Sequence, residues 1–336
     1  MSEKVNRLIV PRALVVALAF MLSPVVASGQ TEKNNIETHL DLGLTLGTDG
    51  IAIDLAAPIG QYVQVRAGFA YMPRFEKKMT FQAQVGDKPE ARYDEHGNPI
   101  LGPDGKPIQT KFDKMAGLMS DLTGYKVDEY IDMIATPTFW NGKVLVDVFP
   151  FKKRNWFFTA GLYLGPARVA KAYNTTEDMP SLMAMSMYNN IYDKVLNEEP
   201  IITYNGTGLE LPPAVCEKIL SYGRMSVPVG TYKATGEPYR MVPNEEGMVK
   251  ADVIANIVRP YVGFGYRTPI SKDGRTLFSF NAGVLCWGDP KLVTHDGTDL
   301  VHDVVDVKGQ VGTYVKIVTA AKVYPILNIN FSRRFF

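Results

Sequence analysis

The sequence predicts an all-β membrane barrel, antiparallel and up-and-down, of about eight strands, with mixed α/β insertions in the loops at one end. Three observations predict it. Eight segments alternate apolar side chains with polar or small ones, over roughly the 9–11 residues a tilted strand needs to cross a bilayer. Five glycines at strand centres all fall on the polar side. The connections alternate between short turns and long insertions.

Residues 1–29 read as a cleaved signal peptide. Lys4, Arg7 and Arg12 form a basic front, 13–22 are an apolar stretch too short to span, and Ala27, Ser28 and Gly29 are small enough for a signal peptidase. Cleavage near Gln30 or after Ala27 both fit. The mature chain, 30–336, is expected to be the barrel with its insertions.

The first strand covers 38–46, with Leu40, Leu42, Leu44 and Leu46 opposite His39, Asp41, Gly43 and Thr45. The second covers 51–59 and the third 61–72, where Val63, Val65, Ala67, Phe69 and Tyr71 oppose Gln64, Arg66, Gly68 and Ala70. The fourth, 143–149, is short and puts Asp147 on its polar side. In 155–166, Trp156, Phe158, Ala160, Leu162 and Leu164 oppose Thr159, Gly161, Tyr163 and Gly165. In 257–267, Val262, Phe264 and Tyr266 oppose Arg259, Tyr261, Gly263 and Gly265. In 276–287, Phe278, Phe280, Ala282 and Val284 oppose Ser279, Asn281 and Gly283. The last strand, 323–335, opposes Leu327, Ile329, Phe331 and Phe335 to Asn328, Asn330, Ser332 and Arg334. Glycine on the polar side (Gly43, Gly68, Gly161, Gly263, Gly283) suits a narrow interior, not a solvated face. Pro260 and Pro325 break the apolar side, each near a strand end, where a missing N–H matters least.

Connections two, four and six are short, whereas three, five and seven are insertions at 73–142, 167–256 and 288–322. Bacterial outer-membrane barrels have short periplasmic turns and long extracellular loops, so the insertions are expected to be extracellular and the protein to sit in the cell outer membrane. Here the chain resembles the small eight-stranded outer-membrane barrels of the OmpA/OmpX type, and uncharacterised barrel proteins of the Bacteroidetes envelope. The resemblance rests on the eight strands and the C-terminus, where Phe331, Phe335 and Phe336 look like the aromatic signal read by the barrel-insertion machinery. The alternation runs back from Phe335 instead of the terminal Phe336, and Arg333 interrupts it. The resemblance implies outer-membrane lipid and that machinery as partners.

Within the insertions, 114–135 has helical spacing and reads as two amphipathic helices broken at Gly124. Helices are also expected over 181–196, over 214–222 ending at Gly223, and through Val311, Tyr314, Val315 and Val318. Turn-rich stretches at 93–100, 102–108 and 235–239 suggest small hairpins, and the valines of 301–307 could add another. The insertions should fold together as a cap over the barrel mouth. Met183, Met185 and Met187 are either its core or an adaptable binding groove.

With 36 basic and 35 acidic side chains there is no electrostatic case for nucleic acid. No GxSxG, HExxH, Walker loop or CxxC motif is present, so no catalytic residue, cofactor or metal site is expected. Asp296 and Asp299 fit a turn better than a calcium loop. Cys216 and Cys286 are compatible with one disulfide or with two free thiols. His39, Asp41, Asp54, Arg66, Asp147 and Arg259 share the lumen side and are expected to pair with one another as a polar network filling a narrow barrel. The expected role is a non-enzymatic barrel displaying a cap for binding an unknown extracellular ligand, for adhesion or for envelope structure. A small channel is the alternative, and an envelope lipid-modifying enzyme the third reading.

Overall fold

The computed structural model describes residues 39–86, 90–151, 153, 155–204, 207–307 and 309–335. The expected signal peptide and Phe336 lie outside the described residues.

The chain enters the barrel wall as β1 (Leu40–Gly47), turns at Thr48 and Asp49 into β2 (Gly50–Ile59), and at Gly60 into β3 (Val63–Tyr71). The first insertion adds β4 (Lys77–Gln82), β5 (Gln84–Val85), α1 (Lys111–Thr123) and β6 (Tyr130–Pro137). The wall resumes with β7 (Trp140–Val148) and β8 (Trp156–Leu164). The second insertion adds β9 (Arg168–Asn174), α2 (Met179–Leu196), β10 (Ile202–Tyr204), β11 (Thr207–Leu209), α3 (Pro213–Tyr222), β12 (Met225–Tyr232), β13 (Pro238–Met241) and β14 (Lys250–Ile254). After β15 (Val258–Pro269) and β16 (Thr276–Cys286) come β17 (Lys291–Thr294), β18 (Val304–Val305) and α4 (Gly309–Ala320). Finally β19 (Val323–Phe335) pairs with β1, closing an eight-stranded antiparallel barrel in the order β1-β19-β16-β15-β8-β7-β3-β2.

The register carries the binary pattern around the ring. Leu44 lies between Ile53 of β2 and Phe331 of β19, all facing out. Gly263 pairs with Gly283, and the Tyr261 ring occupies the lumen beside both: a Cβ on Gly283 would stand 2.5 Å from the Tyr261 hydroxyl. That is the physical reason for glycine there. Pro260 precedes the β15–β16 ladder, which begins at Tyr261 opposite Leu285. The carbonyl of Pro325 accepts from Thr48 Oγ1 at 3.0 Å.

Five wall strands do not stop at the rim. The largest cap sheet has the order β17-β14-β9-β6-β4, which repeats strand for strand the wall order β16-β15-β8-β7-β3. The cap is therefore a continuation of one side of the barrel, interrupted at rim residues such as Pro73, Pro166 and Gly288. One face of this sheet packs on α1, α2 and the β12 sheet around Met79, Met133, Leu182, Met185 and Met225. A second apolar layer, with Phe139, Tyr163, Leu285, Trp287 and Ile326, lies between this core and the lumen.

Several expectations need correction. The second helix expected after Gly124 is strand β6. Ile131 and Met133 alternate inward at period two and pair with β4 and β9, and sheet pairing overrides the helical spacing of the same apolar residues. Strand β7 begins at Trp140, three residues earlier than 143. The valines of 301–307 supply β18, which pairs with β12 in the cap and adds nothing to the barrel. Helices α1, α2, α3 and α4 match the others expected. Thr110 and Asp113 form a capping box on α1, and Gly124 closes it in the left-handed conformation at φ 75°.

Candidate functional site

The lumen is filled in three layers. At the turn end, Arg66 Nη2 meets Asp147 Oδ1 at 2.9 Å, and Arg267 Nη1 donates to Gln64 Oε1 at 2.8 Å with its guanidinium over the Phe149 ring. These residues line a cavity of about 40 Å³ that opens to solvent. His39 and Arg334 stand 3.8 and 3.7 Å from the Asp41 carboxylate here.

In the middle, Lys143 Nζ lies 3.0 Å from Asp54 Oδ1, with the lysine side chain 1% exposed. Thr45 Oγ1 donates to Asp54 at 2.5 Å, and Asn330 Nδ2 donates to Thr45 at 2.7 Å. A second chain starts at Asp147, which accepts from Thr159 Oγ1 at 2.7 Å. Asn281 donates to Thr159 at 3.2 Å and accepts from the Tyr261 hydroxyl. Linking buried polar groups in chains of this kind lowers the cost of packing them in a narrow interior.

At the cap end the lumen is sealed. Tyr163 and Tyr261 lie ring against ring at 5.5 Å, with Leu145, Leu285 and Ile326 beside them, all 2% exposed or less. Above them Arg259 is fully buried. Its three donors reach Asn141 Oδ1 at 2.6 Å and the carbonyls of Asn256 at 2.7 Å and Pro166 at 2.6 Å. Arg259 thus ties together the points where β7, β8 and β15 leave the wall.

Of the six residues expected to form one network, Asp41, Asp54, Arg66 and Asp147 line the same cavity, His39 lies 3.8 Å from Asp41, and Arg259 stands apart. Arg66 and Asp147 pair as expected. Asp54 pairs with Lys143, the first residue of the expected fourth strand, which was not counted in the network. Asp41 is approached by His39 beyond hydrogen-bond distance. Arg259 has no carboxylate partner at all among the described residues and holds backbone at the rim, because the nearest wall acids lie a full layer below it. Arg267, Gln64 and the Thr45–Asn330 contact were also missed, although the same two-residue alternation places all of them inward. Phe331 and Phe335 face outward on β19.

Among the described residues no group of three or more His, Cys, Asp or Glu side chains is arranged to hold a metal ion. Asp296 accepts from Thr294, Thr298 and Tyr239, and Asp299 from backbone N–H groups of Leu292 and Val301, so the two carboxylates serve separate turns. Cys216 and Cys286 are both free thiols. In α2, Met185 is buried in the cap core, while Met183 and Met187 are about half exposed; Met183 lies against Gly247. Arg92 clamps the hairpin at 93–99 to α1 and β6 through Asp113 and Glu129, at 2.5 Å each. Those two carboxylates hold its guanidinium pKa above the ordinary value.

No family model matches the chain, and no curated protein matches it. Among solved structures, CarO2 of Acinetobacter baumannii shares 11% identity at a TM-score of 0.35, covering 89% of this chain and 99% of that one. CarO of the same organism shares 12% at 0.36, covering 90% and 100%. A major outer membrane protein of Thermus thermophilus shares 11% at 0.23, covering 89% and 100%. At such scores the likenesses carry no weight for function, and the closer kinship suggested by the OmpA/OmpX and Bacteroidetes resemblance gains nothing from them.

Proposed function

We propose that this chain is an integral outer-membrane protein whose closed, non-conducting barrel anchors a folded extracellular cap, used for binding, adhesion or envelope structure. The observation that carries this is the outer surface of the ring. Through all eight wall strands, Arg333 is the one charged side chain at an outward position, opposite Leu42 and Thr276 near the turn end. A barrel in water would expose this leucine- and phenylalanine-rich surface at prohibitive cost, whereas lipid requires it. Aromatic collars mark both edges: Tyr71 beside Trp140 at the cap end, and Trp156 packed edge-on against Tyr266 at the turn end. Such belts suit the two membrane interfaces. The outward Phe331 and Phe335 support recognition by the insertion machinery.

The channel reading is weaker because the Tyr163–Tyr261 layer and the fully buried Arg259 leave no water path through the cap end. No set of described residues favours lipid modification. Reconstitution into planar bilayers tests the proposal. The native protein should insert without conductance steps, and the double variant Tyr163→Ala, Tyr261→Ala should open small ones. Steady conductance by the native protein would contradict a sealed barrel.

A further inference from the structure

The face of the five-stranded cap sheet turned away from the cap core is open to solvent, and its charge is lopsided. Along it lie Lys78, Arg168, Lys171, Lys250 and Lys291, against the acids Asp132 and Asp252. Asp132 is taken by Lys78 at 2.7 Å, Asp252 by Arg168 at 3.6 Å, and Lys250 is met by Glu246 at 3.8 Å. Lys171 stands 5.0 Å over the Tyr173 ring, and it and Lys291 are without an acidic partner among the described residues.

This face continues the outer wall. On the β6–β7 and β14–β15 strands the even-numbered residues face out below the rim (Trp140, Val262) and lie on the open face above it (Asp132, Asp252). A surface that is apolar below the Tyr71–Trp140 collar thus becomes cationic above it without a break. Arg168 follows Leu164 by four residues, which on a strand tilted as in membrane barrels is a rise of roughly 10 Å. Headgroups begin at the hydrocarbon edge and extend roughly 5–8 Å beyond it, and long cationic side chains bend back toward that layer, so Arg168 and Lys291, both opposite Ile254, reach the level of lipid phosphates.

We propose that the rim end of the open face of the cap sheet binds the phosphate groups of the anionic lipid of the outer leaflet, with Arg168, Lys171 and Lys291 as the main contacts. The inference depends on the membrane reading above. It explains why cations crowd one sheet face in a chain of nearly balanced charge, and why the cap rises from one side of the barrel.

The test uses the full-length protein in nonionic detergent, titrated with bisphosphorylated lipid A while thermal unfolding is followed. Lipid A should raise the unfolding midpoint of the native protein. Dephosphorylated lipid A and inorganic phosphate alone should not. The variant Arg168→Gln, Lys171→Gln, Lys291→Gln should bind lipid A about a hundredfold more weakly, given about a fivefold loss per cation removed. The reversal Arg168→Glu, Lys171→Glu, Lys291→Glu should abolish the shift. An equal shift with dephosphorylated lipid A, or an undiminished one in the Gln variant, overturns the inference. So does the same shift from inorganic phosphate, which would mark a free-anion site. Carbonate-resistant insertion into liposomes is scored separately. A protein that inserts but ignores phosphate refutes only this inference, whereas one that fails to insert refutes the membrane reading itself.

Discussion

Lys143 and Asp54 meet at 3.0 Å over Gly68 on the inner face of the barrel wall, both side chains almost entirely shielded from solvent. The pair sits where the lumen changes from a polar void to a sealed layer. This is the one ion pair within 4 Å that either residue makes among the described residues.

Removing the cation alone should therefore be costly. Lys143→Met leaves a buried carboxylate unpaired and should lower stability by about 3–5 kcal/mol. The double variant Lys143→Met, Asp54→Leu should recover most of the loss, since it leaves no orphaned charge. Urea unfolding from lipid vesicles, followed by tryptophan fluorescence, measures both.

Gly283 should not tolerate a side chain. A Cβ there would stand 2.5 Å from the Tyr261 hydroxyl and 2.5 Å from the Val262 carbonyl oxygen. Gly283→Val should destabilise the barrel by roughly 1–3 kcal/mol or more. Adding Tyr261→Ala should restore only part of this in the same unfolding assay, because the backbone contact remains.

Arg259 joins cap to barrel. Arg259→Met deprives Asn141 Oδ1 and the carbonyls of Asn256 and Pro166 of their donor, at roughly 1–3 kcal/mol for each buried group left unpaired. The loss should concentrate at the rim. Limited proteolysis of the intact protein should then cut at 165–167 and 255–257, with the barrel strands still protected.

A pH dependence should appear in the third insertion. His302 donates between Asp299 at 2.7 Å and Asp289 at 2.8 Å, and Asp289 also meets Lys322 at 2.8 Å. The hydrogen bond to Asp299, with help from Asp289, raises the His302 pKa above its ordinary value. A group whose folded pKa is raised stabilises fully below the unfolded value, about 6.5 for histidine. That contribution fades as pH rises through the folded value. Hydrogen exchange over 288–322 should slow below about pH 6.5 and quicken above it, and His302→Gln should flatten the profile.

The barrel was legible in the sequence because its strands are constrained on both sides. Lipid demands apolar residues out, a narrow lumen demands small or polar residues in, and a one-residue error inverts both. The lumen was only half legible. Alternation marks which residues point inward but not their height along the axis, so the lumen charges could be grouped but not paired, and Arg259 was set among carboxylates it does not meet. The start of β7 was lost because Asn141 and Gly142 look like a turn, and Lys143, placed at the strand's edge, was not counted among the lumen charges. The cap was the least legible. Around β6, Ile131 and Ile134 suit a helix face and a strand equally, and only the partners β4 and β9, distant in sequence, decide between them.

The central claim is that the barrel spans the outer membrane with its cap outside. The most direct measurement places one epitope tag at Gly102, in the first insertion, and another at Gly274, in the β15–β16 turn, and compares antibody access on intact and permeabilised cells. Access to Gly102 on intact cells, with Gly274 reached only after permeabilisation, is the predicted result. Access to both tags on intact cells, or to Gly274 alone, would contradict it.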